Sequence, residues 1–335
     1  MSKGKTMVKF SVLVAVYNAE KYLKRCLDSL SQQTLKDIQV ICVDDASTDN
    51  SSLILKEHAR RDSRFFVLSL DQNYGPGHAR NAAMQYVEGV YVCFVDSDDW
   101  LDCETLEKAY SVFVDYPCTD CVLFDVIYHY DDASKDCHYP MEPFDVKSGY
   151  DAFCDSLTWK IHGVYAVRST IQKQYPYDET CRIYSDDNTT RIHYYVSREV
   201  RRTSGIYYYY QNPSSVTHRA STSQYDYLIA NRSMKCQLLS LGVSLDIINI
   251  YENVMWLNVV DLYMFYYLHR RKNSLEENRY GMSIIYESWK NIEYKKLTPL
   301  NRYKFGYNPL PGHWKLFRLE EECYFFLKRL FRRCH

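Results

Sequence analysis

An α/β fold on a mostly parallel, Rossmann-like sheet, with a helical C-terminal extension, is what this 335-residue sequence predicts. Apolar runs alternate with helical spacing over the first 130 residues, the runs are apolar on both faces, and past Ser214 the spacing becomes helical. Strands separated by single helices need right-handed crossovers, and these align the strands in parallel.

Phe10 to Val16 reads as a strand buried on both sides, and Asn18 as the N-cap of a helix with Leu23, Cys26, Leu27 and Leu30 on one face. A second strand at 38–43, a helix at 51–61 and a third strand at 65–70 follow. The turn Asn73-Tyr74-Gly75-Pro76-Gly77 leads into a helix holding Ala79, Ala82, Ala83 and Tyr86. A fourth strand at 90–95 precedes a helix near 104–116, and 121–130 reads as a further strand. Residues 131–147 are polar and Pro-containing, a loop or boundary, and 150–211 mix strand and helix pieces. Residues 228–241 and 247–268 are the clearest later helices, so the expected divisions are 1–130, 131–215 and 216–335.

A formal net charge of −1 argues against a nucleic-acid-binding surface. The 12 cysteines are irregularly spaced behind no secretion pattern, which suits reduced thiols in a cytoplasmic protein. A zinc site can be drawn from Cys118, Cys121, Cys137 and His138, but its loop is long, and free thiols are expected instead. No run approaches the ~20 apolar residues that span a bilayer. The longest, 254–268, is broken by Asn258 and Asp261. The 33 tyrosines are read as core edges rather than as a sugar platform.

In an open parallel sheet, ligands bind beyond the carboxyl ends of the strands. Three such ends are polar here: Ala15-Val16-Tyr17-Asn18, Asp44-Asp45-Ala46-Ser47 and Asp96-Ser97-Asp98-Asp99. Acids at adjacent strand ends repel one another unless a cation or a donor-rich ligand lies between them. Hard carboxylate oxygens select Mg²⁺ or Mn²⁺, which keep positions open for phosphate oxygens. A pair such as Asp44-Asp45 alone reads as helix capping, whereas three carboxylates after one apolar strand read as a metal site. Gly-x-Gly-x-x-Gly is missing after the first strand, where Tyr17-Asn18-Ala19-Glu20 stands, and this excludes a dinucleotide-dependent oxidoreductase. A sugar-nucleotide pyrophosphorylase would need a Gly-rich loop there too. A haloacid-dehalogenase-like phosphatase would need its paired aspartates after strand one rather than strand four.

Over residues 8–215 the sequence resembles glycosyltransferase family 2, of the bacterial surface-polysaccharide type, whose members have the GT-A fold. Four segments carry the resemblance in order: 11–18 ending Tyr17-Asn18, Val43-Asp44-Asp45-Ala46-Ser47-Thr48-Asp49, Gly75-Pro76-Gly77-His78-Ala79-Arg80-Asn81, and Phe94-Val95-Asp96-Ser97-Asp98-Asp99-Trp100. The resemblance implies a nucleotide-sugar half at 1–130, an acceptor half at 131–215 and the helical extension at 216–335. It implies a nucleotide-diphosphate donor, a UDP-sugar, with Ala15, Tyr17, Asn18 and Asp45 around the nucleobase. Asp96, with Ser97 beside it, would approach the ribose or sugar, and Asp98 would bind Mn²⁺ or Mg²⁺. Arg80 would either contact the donor or pair with the acid cluster.

The resemblance also implies an acceptor-hydroxyl base, matched by Ile183-Tyr184-Ser185-Asp186-Asp187-Asn188, with Asp187 as base and Asp186 as its stand-in. One base and one leaving group imply inversion at the anomeric carbon. The usual Glu is replaced by Asp186. After Tyr207-Tyr208-Tyr209-Tyr210-Gln211, the segment bearing His218 and Arg219 is either a loop closing over the diphosphate or an ordinary surface loop. The acceptor expected is a glycan or lipid-linked glycan. The competing reading is a glycosyltransferase-like module that binds without turnover. Residues 314–335 place Leu316, Leu319, Cys323, Phe326 and Leu330 at helical spacing near Lys328, Arg329, Arg332 and Arg333. That helix either packs on the protein or makes peripheral contact with the inner face of the cell membrane.

Overall fold

The computed structural model describes residues 7–181, 183–212 and 221–332. The chain divides into two units, one of residues 1–182 with 189–219, the other of 183–188 with 220–335.

The first unit is organised by a 10-stranded sheet. Its strands are β1 (Phe10–Val16), β2 (Ile38–Asp44), β3 (Phe65–Ser69), β4 (Tyr91–Phe94), β5 (Trp100–Leu101), β6 (Thr119–His129), β7 (Cys137–His138), β8 (Val146–Ser148), β9 (Tyr165–Arg168) and β10 (Glu199–Tyr210). Its helices are α1 (Leu23–Ser31), α2 (Ser51–Arg61), α3 (Pro76–Ala83), α4 (Thr105–Asp115), α5 (Gly149–Ser156), α6 (Ser169–Gln174) and α7 (Ser185–Val196), whose first residues up to Asn188 group with the second unit. The main path of the sheet runs β3-β2-β1-β4-β9-β6-β10-β5. The four N-terminal strands are parallel, and so are β6 and β10. β9 runs antiparallel to both β4 and β6 and joins the two parallel sets.

The core follows from the apolar runs. Phe10, Val12, Val14 and Val16 face one layer with Leu23, Cys26, Leu27 and Leu30 of α1, while Leu13 packs on the other side with Ala79 and Ala83 of α3. Since β2, β1 and β4 are neighbours in register, with Val16 opposite Asp44, the three polar strand ends emerge along one edge.

Four local expectations change. Asn18 does not cap α1. It sits at φ 49, and its Oδ1 accepts the Thr48 N–H at 2.7 Å, tying the first loop to the second. A short polar side chain tolerates the left-handed region and serves a cross-loop bond there. The helix after Pro76 ends at Ala83 and tightens into a 3₁₀ turn, leaving Tyr86 exposed. The 131–147 stretch includes β7 and the start of β8, too short for a periodic signal. In the second unit, α8 (Asp226–Ser240) and α9 (Leu245–His269) are as expected, followed by α10 (Leu275–Lys290), α11 (Pro299–Tyr303) and α12 (Trp314–Arg332). α10 went unread although it opens on a capping box in which Ser274 and Glu277 exchange hydrogen bonds.

Every cysteine among the described residues is free. No helix among them is long and apolar enough to cross a membrane.

Candidate active site

The edge where β1, β2 and β4 end is built by three loops. The first two are laced together: the Asn18 N–H donates to Ser47 Oγ at 3.1 Å and the Glu20 N–H to Asp49 Oδ2 at 3.0 Å. Tyr17 stands half exposed at the rim and Ala15 is half-buried below it. Asp45 is buried, and its two oxygens accept the N–H groups of Tyr74 and Gly75 at 2.9 and 2.8 Å. Gly75 needs its glycine because φ is 97, a conformation that starts α3 directly and delivers Arg80 to the site.

Arg80 is buried, lies 4.3 Å over the Phe94 ring and donates to Asp96 Oδ1 at 2.5 Å. Of the two roles open to Arg80, the structure shows pairing with the acid cluster.

The three acids after β4 then separate by environment. Asp99 is the innermost, 2% exposed. Its Oδ2 accepts the Tyr207 hydroxyl at 2.7 Å and its Oδ1 the Tyr210 N–H at 2.8 Å, both from β10. The Tyr207 oxygen in turn accepts the Asp96 N–H at 3.2 Å. Of the three acids, Asp99 is the one anchored to β10 from both carboxylate oxygens. Asp98 is half-buried, with Oδ2 accepting the Asn212 amide at 3.2 Å. Arg25 of α1 donates to the Asp98 carbonyl at 2.9 Å and stacks over Trp100 at 3.7 Å. Ser97 lies between them, half-buried.

Burial, then the neighbouring Asp96 carboxylate, raise the Asp98 carboxyl above the ordinary carboxylate range, while Asn212 and Arg25 pull partly back. Burial, then Asp96 and Asp98, push Asp99 up much further. Three acids thus crowd one strand end with one buried guanidinium among them. A cation, alone or carried with phosphate, would relieve that charge surplus. Among the described residues, no group of three or more His, Cys, Asp or Glu could hold a metal ion by itself. The donor set fits an ion carried with a diphosphate, because Mg²⁺-type ions are held by one or two carboxylates plus substrate phosphates.

Arg25, Tyr207, Tyr210 and Asn212 are the site residues to which sequence reasoning gave no role at the site. The tyrosine run of β10 was the available signal: four consecutive tyrosines, 207–210, followed by Gln211 and Asn212, mark a strand end that turns polar.

Asp186 and Asp187 open α7, where Asp186 Oδ1 accepts the Asp187 N–H at 3.2 Å. Both are half-buried. The next residue, Asn188, is buried and donates to the Ala230 carbonyl of α8 at 2.8 Å, which fixes this helix start within its own unit. Tyr184, at φ 70, packs edge-on against Tyr227 at 5.0 Å. His218 and Arg219 lie outside the described residues.

A model of glycosyl transferase family 2 matches residues 11–188, from β1 through the first turn of α7. The chain belongs to glycosyl transferase family 2. Within that family it is 44% identical over 108 residues to the glycosyltransferase GlyA of Streptococcus pneumoniae, a stretch covering 32% of this chain and 15% of GlyA. The matched stretches span between 15% and 36% of the first three curated relatives, well short of their full lengths. Among solved structures, residues 1–349 of Staphylococcus aureus TarS in complex with UDP-GlcNAc superpose with a TM-score of 0.74 at 22% identity, over 94% of this chain and 91% of that one. A mannosyltransferase from Pyrobaculum calidifontis in complex with GDP-Man and Mn²⁺ superposes with a TM-score of 0.52 at 15% identity, over 97% and 87% of the two chains. At these identities the superpositions establish the GT-A fold.

Proposed function

We propose that this family member is an inverting glycosyltransferase. It would move a sugar from a nucleotide-diphosphate donor, a UDP-sugar, to a hydroxyl of a glycan or lipid-linked glycan. The observation that carries the reading is the trio Asp96, Asp98 and Asp99 at the end of β4, held from β10 and beside the β1 and β2 loops. The complex of TarS with UDP-GlcNAc, on the same fold, supports a UDP-sugar donor.

Ala15, Tyr17 and Asn18 border the nucleobase. Asp45 reaches its imide N–H through the lone pairs left beyond Tyr74 and Gly75. Asp96, oriented by Arg80, and Ser97 face the ribose or sugar. Asp98 would hold Mn²⁺ or Mg²⁺, and a bound ion would supply Lewis-acid neutralisation of the charge on the leaving diphosphate. His218 and Arg219 add donors to the same phosphates.

Asp187, with Asp186 as its stand-in, takes the proton from the acceptor hydroxyl. The acceptor oxygen then forms its bond to the anomeric carbon as the bond from that carbon to the diphosphate oxygen breaks. The nucleoside diphosphate leaves with the electron pair, and one displacement gives inversion. A lipid-linked acceptor would bring the enzyme to the inner face of the cell membrane through its substrate.

The experiment is a thermal-shift screen of nucleotide sugars with Mn²⁺, followed by an assay for released UDP with and without glycan acceptors. Stabilisation by one UDP-sugar together with acceptor-dependent release supports the reading. Stabilisation without any release would make the chain a binding module instead.

A further inference from the structure

Between α10 and α12, the short helix α11 and its flanking turns form a platform that is firmly tied to the helical unit. Asn253 of α9 donates from Nδ2 to the Lys296 carbonyl at 3.1 Å. Its Oδ1 accepts the Thr298 N–H at 2.9 Å and the Asn301 side-chain amide at 3.0 Å. Trp256 Nε1 donates to the Tyr307 carbonyl at 2.8 Å, and Glu320 of α12 accepts the Gly306 N–H at 2.8 Å. Gly306, at φ 75, lies so close to the Tyr324 ring that a β-carbon would collide with it. On this held backbone three large apolar side chains face away: Leu300, Tyr303 and Phe305 are 50–67% exposed. Leu300 and Tyr303, three residues apart on α11, share one face of that helix.

The charge around these side chains is of one sign. From Tyr294 through Leu319 the sequence holds no Asp or Glu, but six cations: Lys295, Lys296, Arg302, Lys304, Lys315 and Arg318. Lys296 is paired with Glu293 at 2.9 Å, an acid that also binds Lys235. Lys295, Arg302 and Lys304 make no ion pair among the described residues. Arg302 lies over the Tyr303 ring at 5.3 Å and Lys304 over the Tyr307 ring at 4.3 Å, contacts that leave both charges uncompensated. Apolar tips ringed by cations suit an anionic lipid surface, where the tips enter the headgroup boundary and the cations stay at the phosphates. A second copy docking on this platform would instead set cation against cation across a two-fold axis. The C-terminal helix differs in charge. α12 packs inward through Phe317, 5.6 Å from Trp256, and Phe325, stacked on Tyr263 at 6.3 Å, which leaves Leu316, Leu319 and Phe326 exposed. Three consecutive acids, Glu320, Glu321 and Glu322, occupy the middle of that helix, and anionic headgroups disfavour them.

We propose that the α11 platform is the surface through which this chain attaches to anionic lipid. Leu300, Tyr303 and Phe305 enter the headgroup boundary, and Lys295, Arg302 and Lys304 meet the lipid phosphates. The attachment is direct, made without donor or acceptor, and none of its residues belongs to the acidic site, so it stands or falls apart from the catalytic reading.

The test is co-sedimentation of the full chain with vesicles of phosphatidylcholine mixed with phosphatidylglycerol, against vesicles of phosphatidylcholine alone. The wild type is expected to sediment with the anionic vesicles only, and to be released by added salt. Leu300→Ser with Tyr303→Ser should weaken binding about tenfold or more, with unchanged circular dichroism, both positions being exposed. Should that variant misfold, the charges still decide: Lys295→Glu with Lys304→Glu should weaken binding about fivefold or more for each charge. A wild type that ignores anionic vesicles, or binds both kinds equally, overturns the proposal. So does binding indifferent to both pairs of substitutions, or binding abolished only by Leu319→Glu with Phe326→Glu on α12. Sedimentation without vesicles overturns it too, since that outcome is self-association.

Discussion

The Tyr207 hydroxyl donates to Asp99 Oδ2 at 2.7 Å, across 108 residues of sequence, while its oxygen accepts the Asp96 N–H. One phenol therefore fixes both the side chain at the bottom of the acidic loop and the backbone at its start. Removing it with Tyr207→Phe keeps the ring stacked near Phe124 and deletes two hydrogen bonds. Equilibrium denaturation should show a loss of about 1–3 kcal/mol with an unchanged m-value. Donor binding should weaken as well, because Asp96 and Asp99 lose their common brace.

Asp98 is predicted to be costly to the free protein and necessary to the loaded one. An acid whose folded-state pKa is raised makes the fold less stable at higher pH, and that penalty fades as pH falls through the folded value toward the unfolded one near pH 4, roughly. Asp98→Asn should therefore be at least as stable as wild type at neutral pH without ligand, with the difference shrinking on acidification. With UDP-sugar and Mn²⁺, only the wild type should gain stability. An Asn variant that keeps metal-dependent donor binding would remove Asp98 from the metal role.

Asp187→Asn should bind donor as tightly as wild type and lose about 10²–10⁴ of the transfer rate. Single-turnover assays measure the loss, and calorimetry with UDP-sugar measures the retained binding. Asp186→Asn is the paired control. If it carries the loss instead, the two roles exchange.

Arg80 joins a buried guanidinium to Asp96 and the Phe94 ring. Arg80→Met should cost about 1–3 kcal/mol in chemical denaturation. Arg80→Lys should recover only part of it, since an ammonium cannot both stack flat and present the fork that meets the carboxylate. Full recovery by lysine would mean that charge alone matters at this position.

Much of the framework was legible before any coordinates. The first four strands and their helices fall where the spacing puts them, and Asp96 and Asp98 stand at a strand end as expected. Asn18 and Asp45 were harder to read, because their partners Thr48, Tyr74 and Gly75 belong to neighbouring loops.

The sequence by itself determined the alternation of strand and helix, the parallel edge with its three polar strand ends, and the family. Each is written in local periodicity and in residues close along the chain. Only the tertiary structure decided that Asp99 is the anchor and that Arg80 faces Asp96. It also decided that Tyr207 and Asn212 return to brace the cluster, and that the apolar stripe of α12 points outward. Those outcomes depend on which distant segments meet, and two apolar faces on one helix look alike until packing selects the one to bury.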